Sequence, residues 1–368
     1  MKQEYAYDLA LVISDLGAGG AQRVLVTLAN EWSRAGRSVV VITFSSPDSD
    51  FFSLSDAVTR KSLNVAGATN GFLGAVKANI RRVLVLRRCL IDLRPRSVLG
   101  FIAATNVLLI LATMGVALRV IISERNDPAK QSLGRFWGRL RRYFYRYADV
   151  VTANSAAALD TLSEYVPKHK LVLVRNPVSV SEENAHAKLR PGPRRLLAVG
   201  RLYPQKGYDV LLKAFAASLL ARDGWKLRVL GEGPLRASLE ELSGALGISG
   251  AVEWLGMKSD PLPEYRAADI FVLASRYEGT PNALLEAMSV GIPVVVTDAL
   301  PGALEFVVHG ETGIVVKVED PDDLAKALTS LANDDQLRVQ LGVNGRERVT
   351  ENSLDKVLQD WERILGWE

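Results

Sequence analysis

The chain has very little cysteine and very little histidine. Among its 368 residues stand one cysteine, Cys89, and three histidines, His169, His186 and His309. A single thiol excludes a disulfide framework and a thiolate metal cluster, and it suits a reducing compartment. The histidines are scattered without ligand-like spacing, which argues against a zinc site. Disorder is excluded by composition, since 48% of residues are hydrophobic and 23% charged. The opening residues "MKQEYAYDLALVISDLGAGG" carry Glu4 and Asp8 and lack the basic-then-apolar order of a secretory leader.

Long uncharged runs are scarce as well. The longest to consider is Val98 to Leu118, 21 residues without a formal charge. It has the length to span a bilayer, but Gly100, Thr105, Asn106, Thr113 and Gly115 interrupt it. It divides into a strand "SVLGF", a helical "ATNVLLILATMGVALR" and a strand "RVIIS", so a buried strand–helix–strand is expected. No short-period repeat and no low-complexity tract is present.

Charge is present in quantity and unevenly placed. Residues 1–180 hold 24 Lys and Arg against 13 Asp and Glu, and residues 181–368 hold 21 against 28, within a net charge of +4. The asymmetry points to an anionic surface or substrate that meets the first half.

Short runs of Val, Ile and Leu alternate with helical patterns. "LALVIS" precedes a helix from about Ala21 to Ala35, and "SVVVITF" follows it. This is the rhythm of a parallel sheet wrapped by helices. It pauses in the polar, Pro-rich stretch "NPVSVSEENAHAKLRPGP" and restarts with "RRLLAVG", "KLRVLGEG", "VEWLG", "DIFVLAS", "PVVVTD" and "GIVVKVED". The expectation is an α/β chain of two doubly wound domains. Residues 1–178 form the first, 179–193 a linker and 194–350 the second. Residues 351–368 form a C-terminal helix that could pack back toward the first domain. Ligands in such open sheets bind at the carboxyl ends of the strands.

The stretch "SRYEGTPNALLEAM" places Glu278 and Glu286 on either side of Thr280, Pro281 and Asn282. Thr280 is a sound N-cap and Pro281 a sound first helical residue, so a helix is expected to start there, just after the strand "DIFVLAS". Its amino end would hold phosphate, Glu286 would accept from ribose hydroxyls, and Glu278 would face the group beyond the phosphates. Spacing alone leaves a second reading open, in which both glutamates are surface residues around a helix cap. "RLYPQKG" puts Arg201 and Lys206 in the first strand-to-helix loop of the same half, where two cations can stabilise a diphosphate leaving group without a metal.

Together "VGRLYPQKG", "VLGEGP", "ADIFVLASRYEGTPNALLEAMSVGIPVVVTD" and "GETGIVV" resemble the retaining glycosyltransferases of family 4, which have the GT-B fold of two Rossmann-like domains facing across a cleft. "DLGAGGAQRVLVTLANEW" and "IISERNDP" resemble the bacterial branch that elongates undecaprenyl diphosphate-linked saccharides, N-acetylgalactosaminyltransferases among them. The resemblance covers about residues 8–350.

It implies that Arg201 and Lys206 bind the donor diphosphate, Glu286 the ribose and Glu278 the donor sugar. It places Leu284 and Leu285 at the helix start, where backbone amides meet phosphate, and brings Gly19 and Gly20 close to the phosphates and the acceptor. It implies a UDP-sugar as donor, no cofactor and no required metal. The acceptor would be a lipid diphosphate-linked saccharide, and the enzyme would sit peripherally on the cytoplasmic face of the inner membrane. A transferase with a soluble or protein acceptor, or a non-catalytic binding or scaffold protein, would share the fold.

One departure from the family is visible. Where many members carry a histidine, this chain has "SERNDP", with Glu124, Arg125 and Asn126. Glu124 either orients the acceptor hydroxyl or pairs with Arg125. "DSD" at residues 48–50 spells the metal-binding pattern of the other large transferase fold, but it lies in the loop "SSPDSDFF" without that fold's context and reads as solvated loop.

Two basic helical stretches remain. On a helical wheel of "GRFWGRLRRYFYRYADVV", Arg135, Arg139, Arg142 and Arg146 form one stripe beside an aromatic arc. In "VKANIRRVLVLRRCLIDL", Lys77, Arg81 and Arg88 share a face flanked by Leu84 and Ile91. Both suit an anionic membrane surface or a lipid diphosphate. Both also suit solvated faces of ordinary amphipathic helices. No nucleic-acid recognition pattern accompanies the charge.

Overall fold

Strands made of uninterrupted Val, Ile and Leu must be covered on both faces, which favours parallel sheets with helices on each side. In the computed structural model the described residues are 5–67, 71–126, 128–129, 131, 133–179 and 194–367. They divide into two units: one runs to Arg175 and takes back the chain from Leu358, and the other is Asn176–Val357. Most of the expected linker, residues 180–193, lies outside the described residues.

The first unit contains β1 (Tyr7–Ile13), α1 (Gly20–Arg34), β2 (Val39–Thr43), β3 (Thr59–Ser62), α2 (Gly71–Leu93), β4 (Pro95–Phe101), α3 (Ala103–Thr113), β5 (Arg119–Glu124), α4 (Gly134–Phe144), β6 (Val150–Ala153), α5 (Ala156–Ser163) and β7 (Leu171–Leu173). Its seven strands are all parallel, in the order β3-β2-β1-β4-β5-β6-β7. The winding reverses between β1 and β4. The 21-residue uncharged run is spent on β4, α3 and the turn into β5. Gly115, at φ +72°, follows the end of α3. Among the described residues no helix is long and apolar enough to cross a membrane.

The second unit contains β8 (Arg195–Val199), α6 (Tyr208–Ala217), β9 (Lys226–Leu230), α7 (Arg236–Ala245), β10 (Val252–Gly256), α8 (Leu262–Ala267), β11 (Ile270–Leu273), α9 (Asn282–Ser289), β12 (Val294–Thr297), α10 (Pro301–Leu304), β13 (Ile314–Val316), α11 (Pro321–Asn333) and α12 (Asp335–Arg348). Its parallel order is β10-β9-β8-β11-β12-β13, reversing between β8 and β11. Alternate residues feed two layers of core. Leu196 and Val272 pack with Leu211, Phe215 and Leu328, while Leu197 and Phe271 pack with Leu284 and Leu285. The two parallel, doubly wound units are the Rossmann-like pair of the GT-B fold.

The last helix, α13 (Leu354–Leu365), begins in the second unit and ends in the first. Trp361 is fully buried there, edge-on to Trp32 at 6.4 Å between ring centroids and 6.5 Å from Phe101. Trp367 packs on Trp32 at 5.5 Å and lies under the guanidinium of Arg37, which also donates to the Trp367 carbonyl at 3.2 Å.

Candidate functional site

In an open parallel sheet the loops that leave the reversal point diverge and expose a crevice for ligand. In the second unit these are the loops after β8 and β11, and they carry Arg201, Lys206 and Glu278. Glycine lets them lie against each other. Gly207 has φ +63°, and a Cβ there would stand 2.1 Å from the Ala274 carbonyl oxygen. The left-handed turn and the close approach both require the bare backbone. Just before it, the single 3-10 turn Pro204–Lys206 aims Lys206 at the other loop.

Lys206 forms an ion pair with Glu278, both largely buried. Glu278 Oε1 also accepts from Ser275 Oγ at 3.0 Å, and the side-chain amide of Gln205 reaches Oε2 at 3.5 Å and the Tyr277 carbonyl at 2.8 Å. The carboxylate is therefore held by donors from both loops. Arg201 differs: it is exposed, its guanidinium lies 5.2 Å from the centre of the Tyr203 ring, and among the described residues no carboxylate comes within ion-pair distance of it.

The helix after Glu278 starts later than the sequence suggests. Pro281, not Thr280, occupies the N-cap position, and α9 begins at Asn282. Pro281 stays extended, with φ −77° and ψ 116°, and has no side-chain group to cap with. Thr280 is buried, and its carbonyl accepts from Asn176 Nδ2 at 3.1 Å. The same Asn176 amide donates to Asn282 Oδ1 at 2.6 Å.

Leu284 and Leu285 are essentially inaccessible and fix the helix on the sheet, each burial worth about 2 kcal/mol. Their amides turn back to the Pro281 carbonyl at 3.1 and 3.4 Å, which leaves Asn282 and Ala283 as the first two residues of the helix. Glu286 is half-buried one turn further on. Asn176 was missed by sequence reasoning; the only sign was an amide side chain directly before Pro177.

At the carboxyl edge of the first sheet, the loop after β1 is folded on Asp15. Asp15 Oδ1 accepts from the Gly17 amide at 2.9 Å and from Gln22 Nε2 at 3.0 Å, and Ser14 Oγ donates to Oδ2 at 2.7 Å. Gly19 is the N-cap of α1 and Gly20 its first residue.

Glu124 is enclosed at the carboxyl end of its strand. It ends β5 fully buried, accepting from Tyr145 Oη at 2.9 Å and from the Arg125 amide at 3.3 Å, with Arg141 Nη1 at 3.8 Å as ion-pair partner. The ion-pair partner within 4 Å is thus Arg141, while the Arg125 guanidinium is turned to aromatic rings. That group lies 4.7 Å from the centre of the Phe101 ring and 5.8 Å from that of Trp361. Burial raises the Glu124 carboxyl above its usual range, and Arg141 and Tyr145 only partly offset it. Burial pushes Arg125 down to about 9, with Glu124 opposing. Asn126 is half-buried, its amide turned to Glu124.

The basic stripes are present, with changes. Arg135, Arg139, Arg142 and Arg146 are all exposed, but Arg142 is paired with Glu164 at 2.7 Å. The aromatic arc splits: Trp137, Leu140 and Phe144 pack on the core, whereas Phe136, Tyr143 and Tyr147 are about half exposed. Arg141, which the stripe omitted, is the buried one. On α2, Lys77, Arg81 and Arg88 are exposed beside an apolar row of Leu73, Ile80, Leu84 and Ile91, with exposures of 83%, 56%, 60% and 50%. Arg87 is tied to the carbonyls of Ala112 and Met114, and Arg82 to that of Val65. In the "DSD" loop, Asp50 is paired with Arg60 at 2.9 Å and Asp48 accepts from Ser46.

Residues 18–182 match Glycosyltransferase Family 4, and residues 180–348 match Glycosyl transferases group 1. The chain is 27% identical, over 97% of its length and 98% of the relative's, to a Campylobacter jejuni protein named GalNAc-alpha-(1->4)-GalNAc-alpha-(1->3)-diNAcBac-PP-undecaprenol alpha-1,4-N-acetyl-D-galactosaminyltransferase. A second protein of that organism, N-acetylgalactosamine-N,N'-diacetylbacillosaminyl-diphospho-undecaprenol 4-alpha-N-acetylgalactosaminyltransferase, is 25% identical over 95% of the chain and 96% of its own length. Among solved structures, Anabaena HepE in complex with UDP and glucose superposes with a TM-score of 0.78 at 17% identity, covering 98% of this chain and all of that one. Sucrose-phosphate synthase from Thermosynechococcus elongatus superposes with a TM-score of 0.83 at 20% identity, covering 98% of both chains.

Proposed function

Because this chain belongs to the glycosyltransferases, family 4 in its first half and group 1 in its second, we propose that it transfers a sugar from a UDP-sugar to a polyprenyl diphosphate-linked saccharide, retaining the anomeric configuration. The observation that carries the reading is the convergence of Arg201, Lys206, Glu278 and the amino end of α9 on the reversal point of the second sheet. Lys206 is paired with Glu278. An arriving diphosphate offers it a stronger anion, and the exchange frees the Glu278 oxygens to accept from the sugar hydroxyls. Arg201, exposed and without a carboxylate partner among the described residues, meets the diphosphate directly. Glu286 takes the ribose.

In the transfer step the acceptor oxygen bonds to the anomeric carbon as the bond from that carbon to the phosphate oxygen breaks. The acceptor proton passes to the departing phosphate on the same face. Lys206, Arg201 and the dipole of α9 stabilise the charge that develops there, so no strong protein base and no metal is needed. The buried state of Glu124 agrees with a mechanism that does not call on it.

The acceptor class is supported by the names of the two Campylobacter relatives and by the exposed face of α2. There Leu73, Ile80, Leu84 and Ile91 suit the acyl boundary of a bilayer, and Lys77, Arg81 and Arg88 suit its anionic headgroups. On this reading the enzyme works peripherally at the cytoplasmic face of the membrane.

The test is a panel of nucleotide sugars with membrane-extracted lipid acceptors, read by product mass and product anomer. Transfer from a UDP-sugar with retention is expected. Transfer only to soluble acceptors would remove the lipid assignment, and an inverted product would remove the same-face step.

A further inference from the structure

Lys206 and Glu278 come from different loops, and their meeting needs something to hold those loops in register. The residue next to Tyr277, Arg276, spans the gap. Its backbone amide donates to the Gln205 carbonyl at 2.8 Å, and its guanidinium donates to the Pro204 carbonyl. Both carbonyls belong to the 3-10 turn that presents Lys206. The guanidinium also grips Asp209 in the first turn of α6 with two bonds, at 3.1 and 2.9 Å. Its third partner is Glu319, reached through Nε and, at 3.1 Å, through Nη2. Glu319 itself holds φ +61°, a left-handed conformation that a side-chain-bearing residue adopts only at a cost.

Arg276 thus joins three segments: the Lys206 turn, the start of α6 and the loop after β13. A planar guanidinium with five donors in a fixed fork is the side chain suited to such a junction, and lysine could not reproduce it. Asp209 is held below the usual carboxylate range despite its partial burial, with Arg276 as the cause. This agrees with a persistent bidentate pair. The partners are all on the scaffold, and none of the bonds is directed toward Arg201 or Glu286.

We infer that Arg276 is a positioning residue of the donor site: it locks the turn bearing Lys206 against the loop bearing Glu278, and so sets where the cation meets the donor diphosphate. This rests on the donor-site reading above, but the two fail separately. Wild type that binds no UDP in titration sinks the donor reading, while the locking of Lys206 is read without any donor, by the rate at which an amine-acylating reagent modifies Lys206, followed by peptide mass. In wild type Lys206 is expected to be protected, and in Arg276→Gln its modification should rise about tenfold as the turn loosens.

With donor present, Arg276→Gln should lower kcat by about ten- to a hundredfold through misplacement of the diphosphate partner, while KM for the acceptor stays within twofold. Arg276→Lys should recover only part of the loss. Should Arg276→Gln fail to fold, Glu319→Gln and Asp209→Asn each remove one arm and should show the same pattern more weakly. Folded variants with wild-type Lys206 protection, wild-type UDP affinity and wild-type kcat would overturn the assignment. So would loss of thermal stability alone, with Lys206 protection and turnover intact.

Discussion

The carboxyl edges of the two sheets are built on the same winding but treat charge in opposite ways. In the second unit Arg201 stays exposed and Lys206 is paired with Glu278, all three on loops at the reversal point. In the first unit the charges after β5 are turned inward. Glu124 is sealed by Tyr145 and Arg141, and Arg125 lies against Phe101 and Trp361. One edge keeps an exposed guanidinium beside a largely buried ion pair, while the other turns both of its charges inward. Burying them costs desolvation, which is why the pKa values of Glu124 and Arg125 are displaced toward their neutral forms.

The sharpest way to break this contrast is to remove the two cations of the second unit's edge. Replacing Arg201 and Lys206 together by alanine should lower turnover by about a thousandfold or more in a saturating donor assay, since each supplies charge to the leaving group. Turnover equal to wild type would dissolve the distinction between the two edges. A smaller effect should follow Glu278→Gln. Transfer should fall by about a hundredfold, yet UDP measured by calorimetry should bind at least as tightly as to wild type, because Lys206 no longer has a carboxylate to leave.

A binding effect of similar size is expected on the first unit's outer face. Lys77→Gln, Arg81→Gln and Arg88→Gln combined should weaken co-sedimentation with anionic vesicles, by about 1 kcal/mol per charge removed. Their thermal stability should be unchanged, because these three side chains are exposed.

The smallest effect tests the edge whose charges are turned inward. The Glu124 carboxyl is raised in the fold, so its contribution favours folding below the unfolded pKa and is lost as pH rises through the folded value. Glu124→Gln should therefore melt higher than wild type at about pH 8, and the difference should shrink toward about pH 5. A difference that widens on acidification would show the carboxylate to be stabilising.

The sheets were legible because period and composition encode strands buried on both faces, as in "VVVIT" and "IFVL". The division of the 21-residue uncharged run was legible for a similar reason, since its glycines fall where a strand must turn into a helix and a helix must stop. The placement of Arg201, Lys206 and Glu278 in loops after strands was legible from the runs that precede them. Burial was harder to read. Glu124 stands in a polar string, and only tertiary packing brings Arg141 and Tyr145 from the next helix and turn to enclose it. The start of α9 was misplaced because local propensity favours Thr280 as a cap, whereas Asn176, 104 residues earlier, engages the Thr280 carbonyl and Asn282. Arg276 left no local trace, because its partners are brought to it by the fold.

Residues 358–367 lie in the first unit, although the whole of Asn176–Val357 intervenes. A ribosome therefore releases nearly all of the first unit, then the entire second, before Trp361 and Trp367 arrive to close over Trp32. At about 5–20 residues per second that interval lasts roughly 10–40 s. Throughout it Trp32 and Phe101 wait for the rings that cover them in the finished fold.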